Sequence, residues 1–384
     1  MTTDVQARFL ALLRAGLWGG APGTDAFAAT PTDWRELRRL ADRQSVLGLV
    51  YDGIAALPAP LRPQTPLLRQ WYAQVVRIEH ANLYMDEALA ELCRLYRAIG
   101  LRPVLLKGQG VARCYANPLR RQCGDIDLYV GRRGFRGANE IVLAADSGNS
   151  AQDARPKTSP KHALLRYRGV VVENHRIVAQ LHDRRSRRHF AAMVAEQLEA
   201  PAVPGRRLAL DGCEVVLPPA RFDAVFLLLH LFVHFLPEGV GVRQICDWAR
   251  LLHVYRAELD RDKLREDVAA LGLGRPWAVF GHIAVACLGL PRDEFPSFDG
   301  RDPQTAEAAR QVLDMVFDEG NFGFFNGRRE ERPAGFFGRK LHSYRWKTRR
   351  FRKLEPLFPG IARKTRWQWF RSGLWGLVTL RRPE

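Results

Sequence analysis

The stretch VLLKGQGVARCYANPLRRQCGDIDLYV, residues 104–130, decides how this chain is read. Its pattern predicts a strand ending in Lys107-Gly108, a short helix, a turn carrying Arg120 and Arg121, and a second strand carrying Asp125-Ile126-Asp127. Strand side chains alternate faces, so Asp125 and Asp127 point one way while Ile126 and Leu128 point the other. Two residues rise roughly 6.6 Å, and metal–oxygen bonds add about 2 Å of reach each, so the two carboxylates can hold one Mg²⁺ or a close pair of ions. Turn N–H groups beside Gly108 can cradle a phosphate, and Lys107 adds a point charge for the same anion. Arg121 is placed to reach a phosphate oxygen with both arms of its guanidinium. A third carboxylate, Glu173, sits on a later strand where it can complete a metal shell.

The chain has 384 residues, enough for two or three domains and a substantial core. Its six cysteines are scattered without a CxxC pair, which argues for reduced thiols in a cytoplasmic protein and against a zinc ribbon or a disulfide scaffold. The first residues carry Asp4, a short apolar run and no cleavage pattern, so no signal peptide is expected. The longest apolar run, Ala224–Leu236, is interrupted by His230 and His234 and reads as a buried helix, not a membrane span. The formal net charge is +18, and residues 336–384 hold fourteen Lys/Arg against two acids, so +12 of it lies in the tail.

Outward from the opening stretch, residues 1–100 read as a helical region, with Thr32 or Asp33 capping one helix and Gly100 ending a long one. Residues 101–200 hold the strands and the candidate site. Phe135–Ala145 continues as a helix, Asp146–Pro160 is a turn-rich loop, and His162–Tyr167 with Gly169–Val172 suggests a hairpin whose second strand runs on through Glu173 to His175. Residues 201–325 are helical after a Pro/Gly-rich connection with a small β excursion at Leu208–Leu217. Residues 326–384 form a basic, aromatic arm, for which a solvated segment partly packed on the body is one reading among three.

The ordered set LLKG, Tyr115, Pro118, Arg121, GDIDLYV and VENH resembles the nucleotidyltransferase superfamily with a polymerase-β-like fold. More narrowly, it is similar to a family of uncharacterised bacterial nucleotidyltransferases often found in polysaccharide biosynthesis loci. Lys161-His162, LLLHLFVH, the segment from Arg243 to Asp247 and EGNFG extend the likeness over roughly residues 30–325. The resemblance implies an α+β fold: a small mixed sheet with helices, flanked by helical N- and C-terminal regions. It also implies that Asp125 and Asp127 hold catalytic Mg²⁺ (or Mn²⁺), with Glu173 as the third acid, either supporting a metal or deprotonating the acceptor. Lys107 and Gly108 would stand where the superfamily usually has Gly-Ser against the triphosphate. The implied reaction is attack of an unidentified acceptor on the α-phosphate of an NTP, with pyrophosphate leaving. Two alternatives stay open: a catalytically inactive nucleotide-binding or scaffolding protein of this fold, and an RNA-directed enzyme.

Three features depart from the superfamily pattern. Lys-Gly replaces Gly-Ser, the loop at 146–160 is long, and Asn174 stands on what should be the core face of its strand, where a partnerless amide would cost a few kcal/mol. His175 shares a face with Glu173 as a possible support. His230 and His234, spaced i, i+4, read as a satisfied structural pair under the site, with metal ligation alongside Asp247 as the alternative. Arg243 and Asp247, at the same spacing, read as a helix-surface pair. For the tail, the mixture of cations with Trp and Phe suits docking on an anionic membrane at its inner face, or contact with nucleic-acid phosphates.

Overall fold

A computed structural model of the chain describes residues 4–145, 157–181, 183–200, 205–296, 300–323, 333 and 335–378. The N-terminal region is helical, as expected: α1 (Asp4–Trp18), α2 (Asp25–Ala28), α3 (Trp34–Arg43), α4 (Leu47–Ala55) and α5 (Thr65–Ala98). Asp33 caps α3 by accepting the Glu36 N–H at 3.0 Å. The α1–α4 crossing depends on two glycines. A Cβ at Gly16 would lie 1.9 Å from the Leu49 carbonyl oxygen, and one at Gly53 would lie 2.1 Å from that of Leu12.

Next come β1 (Val104–Leu105), α6 (Gln109–Ala112), β2 (Ile126–Tyr129), α7 (Gly131–Ala145), β3 (Lys157–Thr158), β4 (His162–Tyr167), β5 (Val170–His175) and α8 (Arg184–Val194). A π-turn over Ala195–Glu199, then β6 (Arg206–Leu210) and β7 (Cys213–Leu217), complete this part. The strands form one seven-stranded mixed sheet in the order β3-β4-β5-β2-β1-β7-β6. β2 is parallel to β5 and β1 to β7, while the remaining neighbours are antiparallel.

The β excursion expected at 208–217 is present, as β6 and β7. They extend the central sheet beyond β1, across the boundary expected at residue 200, because Leu208, Leu210, Cys213, Val215 and Leu217 alternate into its core. Lys157–Thr158, expected in a loop, pairs with β4 as an edge strand; residues 146–156 of that loop lie outside the described residues.

One sheet face, with Leu105, Ile126, Leu128 and Val172, packs on Leu89, Leu92, Ala138 and Val142 of α5 and α7. Asn174 lies in this core, fully buried, and is satisfied. It accepts from the Tyr96 hydroxyl at 2.8 Å and donates to Asn139 Oδ1 at 3.0 Å. The other face, with Val104, Leu106 and Tyr129, joins a helical core built from α9 (Ala220–Phe235), α10 (Val242–Val254), α11 (Arg261–Ala270), α12 (Gly274–His282) and α13 (Pro303–Glu319). α9 is apolar nearly all round and is buried for that reason. Gln44 ties the N-terminal helices to this core, donating to Val316 O and accepting from the Val242 N–H, both at 2.8 Å.

The tail folds into α14 (Phe336–Leu354) and α15 (Ile361–Val378), and it is more than a solvated arm. Arg350 donates to the Leu236 and Phe235 carbonyls at 2.9 and 2.6 Å, serving orphan acceptors at the end of α9. Phe358 is fully buried, its ring 5.0 Å from Phe232 and 6.0 Å from Phe235. Phe358→Ala should therefore cost about 3–5 kcal/mol in a urea unfolding curve. An unchanged midpoint would mean that the tail is not part of the cooperative core.

Candidate active site

β1 and β2 pair so that the Leu106 N–H donates to Asp127 O at 3.0 Å, which sets Lys107 directly over the acids. The chain then turns at Gly108, whose φ of +62° lies in the region L side chains avoid, and α6 begins. On the other side, the parallel β2–β5 register places Asp127 opposite Glu173 and Tyr129 opposite His175. Asp125, Asp127 and Glu173 therefore converge, each with a ligand oxygen within 4.8 Å of the others.

Asp127 is completely buried, with Lys107 Nζ 2.8 Å from its Oδ2 and His175 Nε2 3.0 Å from its Oδ1. His175 Nε2 also lies 3.3 Å from Glu173 Oε2, so one imidazole orients two of the three acids. Lys107 reaches Asp125 as well, at 3.7 Å. Burial opposes the charge on Asp127, yet Lys107 and His175 hold its carboxyl well below the usual range. The Asp127 charge, together with burial, pushes the neighbouring Asp125 carboxyl up. Two acids driven apart in this way are a site short of positive charge, and three hard oxygen donors suit Mg²⁺ or Mn²⁺. The residues present fit a divalent ion.

Other cations surround the acids. Burial lowers the pKa of Lys161, which sits at the head of β4 within range of Asp127, Glu173 and Asp125. Arg243, at the start of α10, donates to Gln122 O and lies near Asp125, its pKa lowered by burial and by Arg121. His162 Nδ1 is 3.5 Å from Glu173, and His162, Glu173 and His175 make a second possible ligand group. Lys161, His162 and Arg243 were not among the expected site residues. The cross-strand pairing of His162 with His175 would have pointed to the first two, but that register is a tertiary fact.

Arg121 is corrected. It does not face phosphate: its guanidinium is buried, with Nε 3.0 Å and Nη2 2.7 Å from the two Asp247 oxygens, and the Tyr115 hydroxyl donates to Asp247 at 2.7 Å. Asp247 is accordingly no surface partner of Arg243, nor a ligand beside the α9 histidines. His230 and His234 stack with centroids 4.5 Å apart, and among the described residues no metal-type cluster includes them.

Burial, with Lys107 and Lys161 nearby, pushes His234 down to about 4 from 6.5. The unfolded chain therefore binds protons that the fold rejects, and stability falls as pH drops from 6.5 through 4. Unfolding midpoints measured across that window should decline, and His234→Gln should flatten the slope. An identical slope in the variant would remove His234 as the cause.

A mixed sheet bearing three acids on adjacent strands, with cations above them and helices on both faces, has the architecture of a nucleotidyltransferase. The comparison of families agrees and is more specific. The chain belongs to the family described as "Uncharacterised nucleotidyltransferase", whose profile matches residues 30–289, and this makes it an enzyme of that type. No curated protein and no solved structure matches the chain. No helix among the described residues is long and apolar enough to cross a membrane.

Proposed function

We propose that the protein transfers NMP from an NTP to an acceptor, releasing pyrophosphate, with Asp125, Asp127 and Glu173 as the metal-binding acids of a polymerase-β-like site. The observation that carries this reading is the convergence of those three carboxylates within 4.8 Å on β2 and β5. A divalent ion bound there would supply charge at the attacking and departing oxygens. Lys107, Lys161 and Arg243 would hold the triphosphate, and the Gly108 turn would let its backbone approach. His175 keeps Asp127 and Glu173 aimed, and Glu173 is placed to take the acceptor's proton. The family resemblance makes polysaccharide biosynthesis the setting to examine first. The test is Mg²⁺-dependent pyrophosphate release with each of the four NTPs, lost in Asp125→Asn. Equal release by wild type and variant would end the catalytic reading.

One observation favours the inactive alternative. The Lys107 ammonium already sits between Asp125 and Asp127, where a cation would bind. Mg²⁺ binding in the presence of a non-hydrolysable NTP separates the two readings, because an inert fold held by Lys107 would show none.

We also infer that the α14–α15 pair touches an anionic membrane surface, which would place the protein peripherally at its inner face. Leu341, Tyr344 and Trp367 are exposed among the tail's cations. Because residues 350–362 are core, the test is liposome flotation of the intact chain carrying Trp367→Glu, not a truncation. Unaltered flotation would count against it.

A further inference from the structure

A cavity of about 1260 Å³ opens between the segment entering β1, the ends of β2 and β5, and helices α7 and α8. Arg102, Arg132, Arg133, Arg184, Arg187 and Arg188 line it. All six are exposed, and none has an ion-pair or hydrogen-bond partner among the described residues. Arg176 also lines the cavity, but it is committed. Its guanidinium donates to Pro160 O and Ser159 O at 3.0 and 2.7 Å and covers the Phe135 ring. The one acid in the lining, Glu199, accepts from the Tyr129 hydroxyl. Six guanidinium groups therefore face one space with almost no compensating charge, an arrangement whose self-repulsion an anion relieves. Guanidinium forks match phosphate oxygens two at a time.

The cavity and the acidic triad are linked through β2, although none of the three acids lines the cavity. Tyr129 follows Asp127 on the same face of β2, one strand repeat of roughly 6.6 Å further on. Val178, Phe190 and Val194 give the cavity an apolar wall. Its two aromatic residues, Tyr129 and Phe190, are buried in the wall, and neither is an exposed platform of the kind on which nucleic-acid bases stack. The volume exceeds the roughly 300–1,000 Å³ of small-molecule sites, so the cavity has room for a ligand of that class.

We propose that this cavity binds a small phosphate-bearing molecule and that this molecule is the acceptor; the second part rests on the nucleotidyl-transfer reading, the first does not. With its phosphate held by the arginines, the ligand presents a hydroxyl at its other end to the acids. That oxygen forms a bond to the α-phosphorus of the NTP while its proton passes to Glu173. The bond from the α-phosphorus to the bridging oxygen breaks, and pyrophosphate leaves with the electron pair.

The test is calorimetric titration of the full chain with inorganic pyrophosphate, in EDTA and at physiological salt. EDTA removes any metal-borne binding at the acids. Wild type should bind saturably, Arg184→Gln/Arg188→Gln should bind about tenfold more weakly or worse, and Asp125→Asn should match wild type. Equal binding by the arginine variant, or loss in Asp125→Asn, overturns the proposal. So does binding of a single-stranded oligoribonucleotide without binding of pyrophosphate, which would make the cavity part of a nucleic-acid surface. Mg²⁺-dependent NTP binding on the same proteins reports on the transfer reading separately. If it fails while the cavity binds pyrophosphate, only the acceptor role is lost.

Discussion

Asp127→Asn should abolish metal-dependent turnover, by about a thousandfold or more, and destabilise the protein at the same time. On the proposed transfer reading, the first effect follows from losing a charged ligand for a divalent ion that would contribute several kcal/mol of transition-state stabilisation. The second comes from Lys107. Its ammonium is 2.8 Å from Asp127 and 3.7 Å from Asp125, with its side chain only 18% exposed. Burial disfavours its charge, but Asp127 and Asp125 outweigh that and hold its pKa above the ordinary lysine value. Neutralising Asp127 removes the nearest partner of that charge and leaves Asp125 and the Glu173 charge, and breaking a buried pair from one side costs about 3–5 kcal/mol. Asp127→Asn/Lys107→Met should recover much of the lost stability and none of the activity. Chemical denaturation and pyrophosphate release on the two variants check this. A double variant as unstable as the single would show that Lys107 and Asp127 are not energetically coupled.

Arg121→Ala should be the most damaging change away from the acids. It leaves Asp247, which is 7% exposed, with the Tyr115 hydroxyl and the charge of Arg243 but no direct ion pair, so the expected loss is about 3–5 kcal/mol. Burial opposes the charge on Asp247, and Arg121 is the main group holding its pKa below the ordinary value. Arg121→Lys should rescue little, since a single ammonium does not reproduce the two-pronged contact. Replacing both partners by apolar residues, Arg121→Met/Asp247→Leu, should be far milder than either single change. Denaturation midpoints of the four variants decide. If instead Arg121→Lys kept its stability and lost NTP affinity, Arg121 would serve phosphate after all.

The difference between Arg121 and Lys107 shows what local sequence can carry. Both are cations flanking the DID motif, and from the sequence both read as phosphate ligands. Lys107 meets the acids because β1 pairs with β2 and because Gly108 turns the chain immediately afterwards. Arg121 leaves the turn in the opposite sense and is captured by an aspartate 126 positions away. Nothing within the motif distinguishes these outcomes. The α9 histidines stack on each other on a helix that is apolar nearly all round, within the field of Lys107 and Lys161. The many cations of the tail gave no sign of which part of it packs; the short apolar set at Phe351, Leu354, Leu357 and Phe358 enters the core.

By itself the sequence determined the helical N-terminal region, the hairpin of β4 and β5, the facing pair Asp125 and Asp127, and the family resemblance. Each of these rests on periodicity, turn chemistry or residues close together in the chain. Only the tertiary structure decided that Glu173 and His175 meet Asp127, that 206–217 belongs to the central sheet, and that Arg121 is a buried strut. It also decided that arginines from three separate segments enclose one cavity. These outcomes depend on strand register and on contacts between distant segments, which are set by the packing of the whole core.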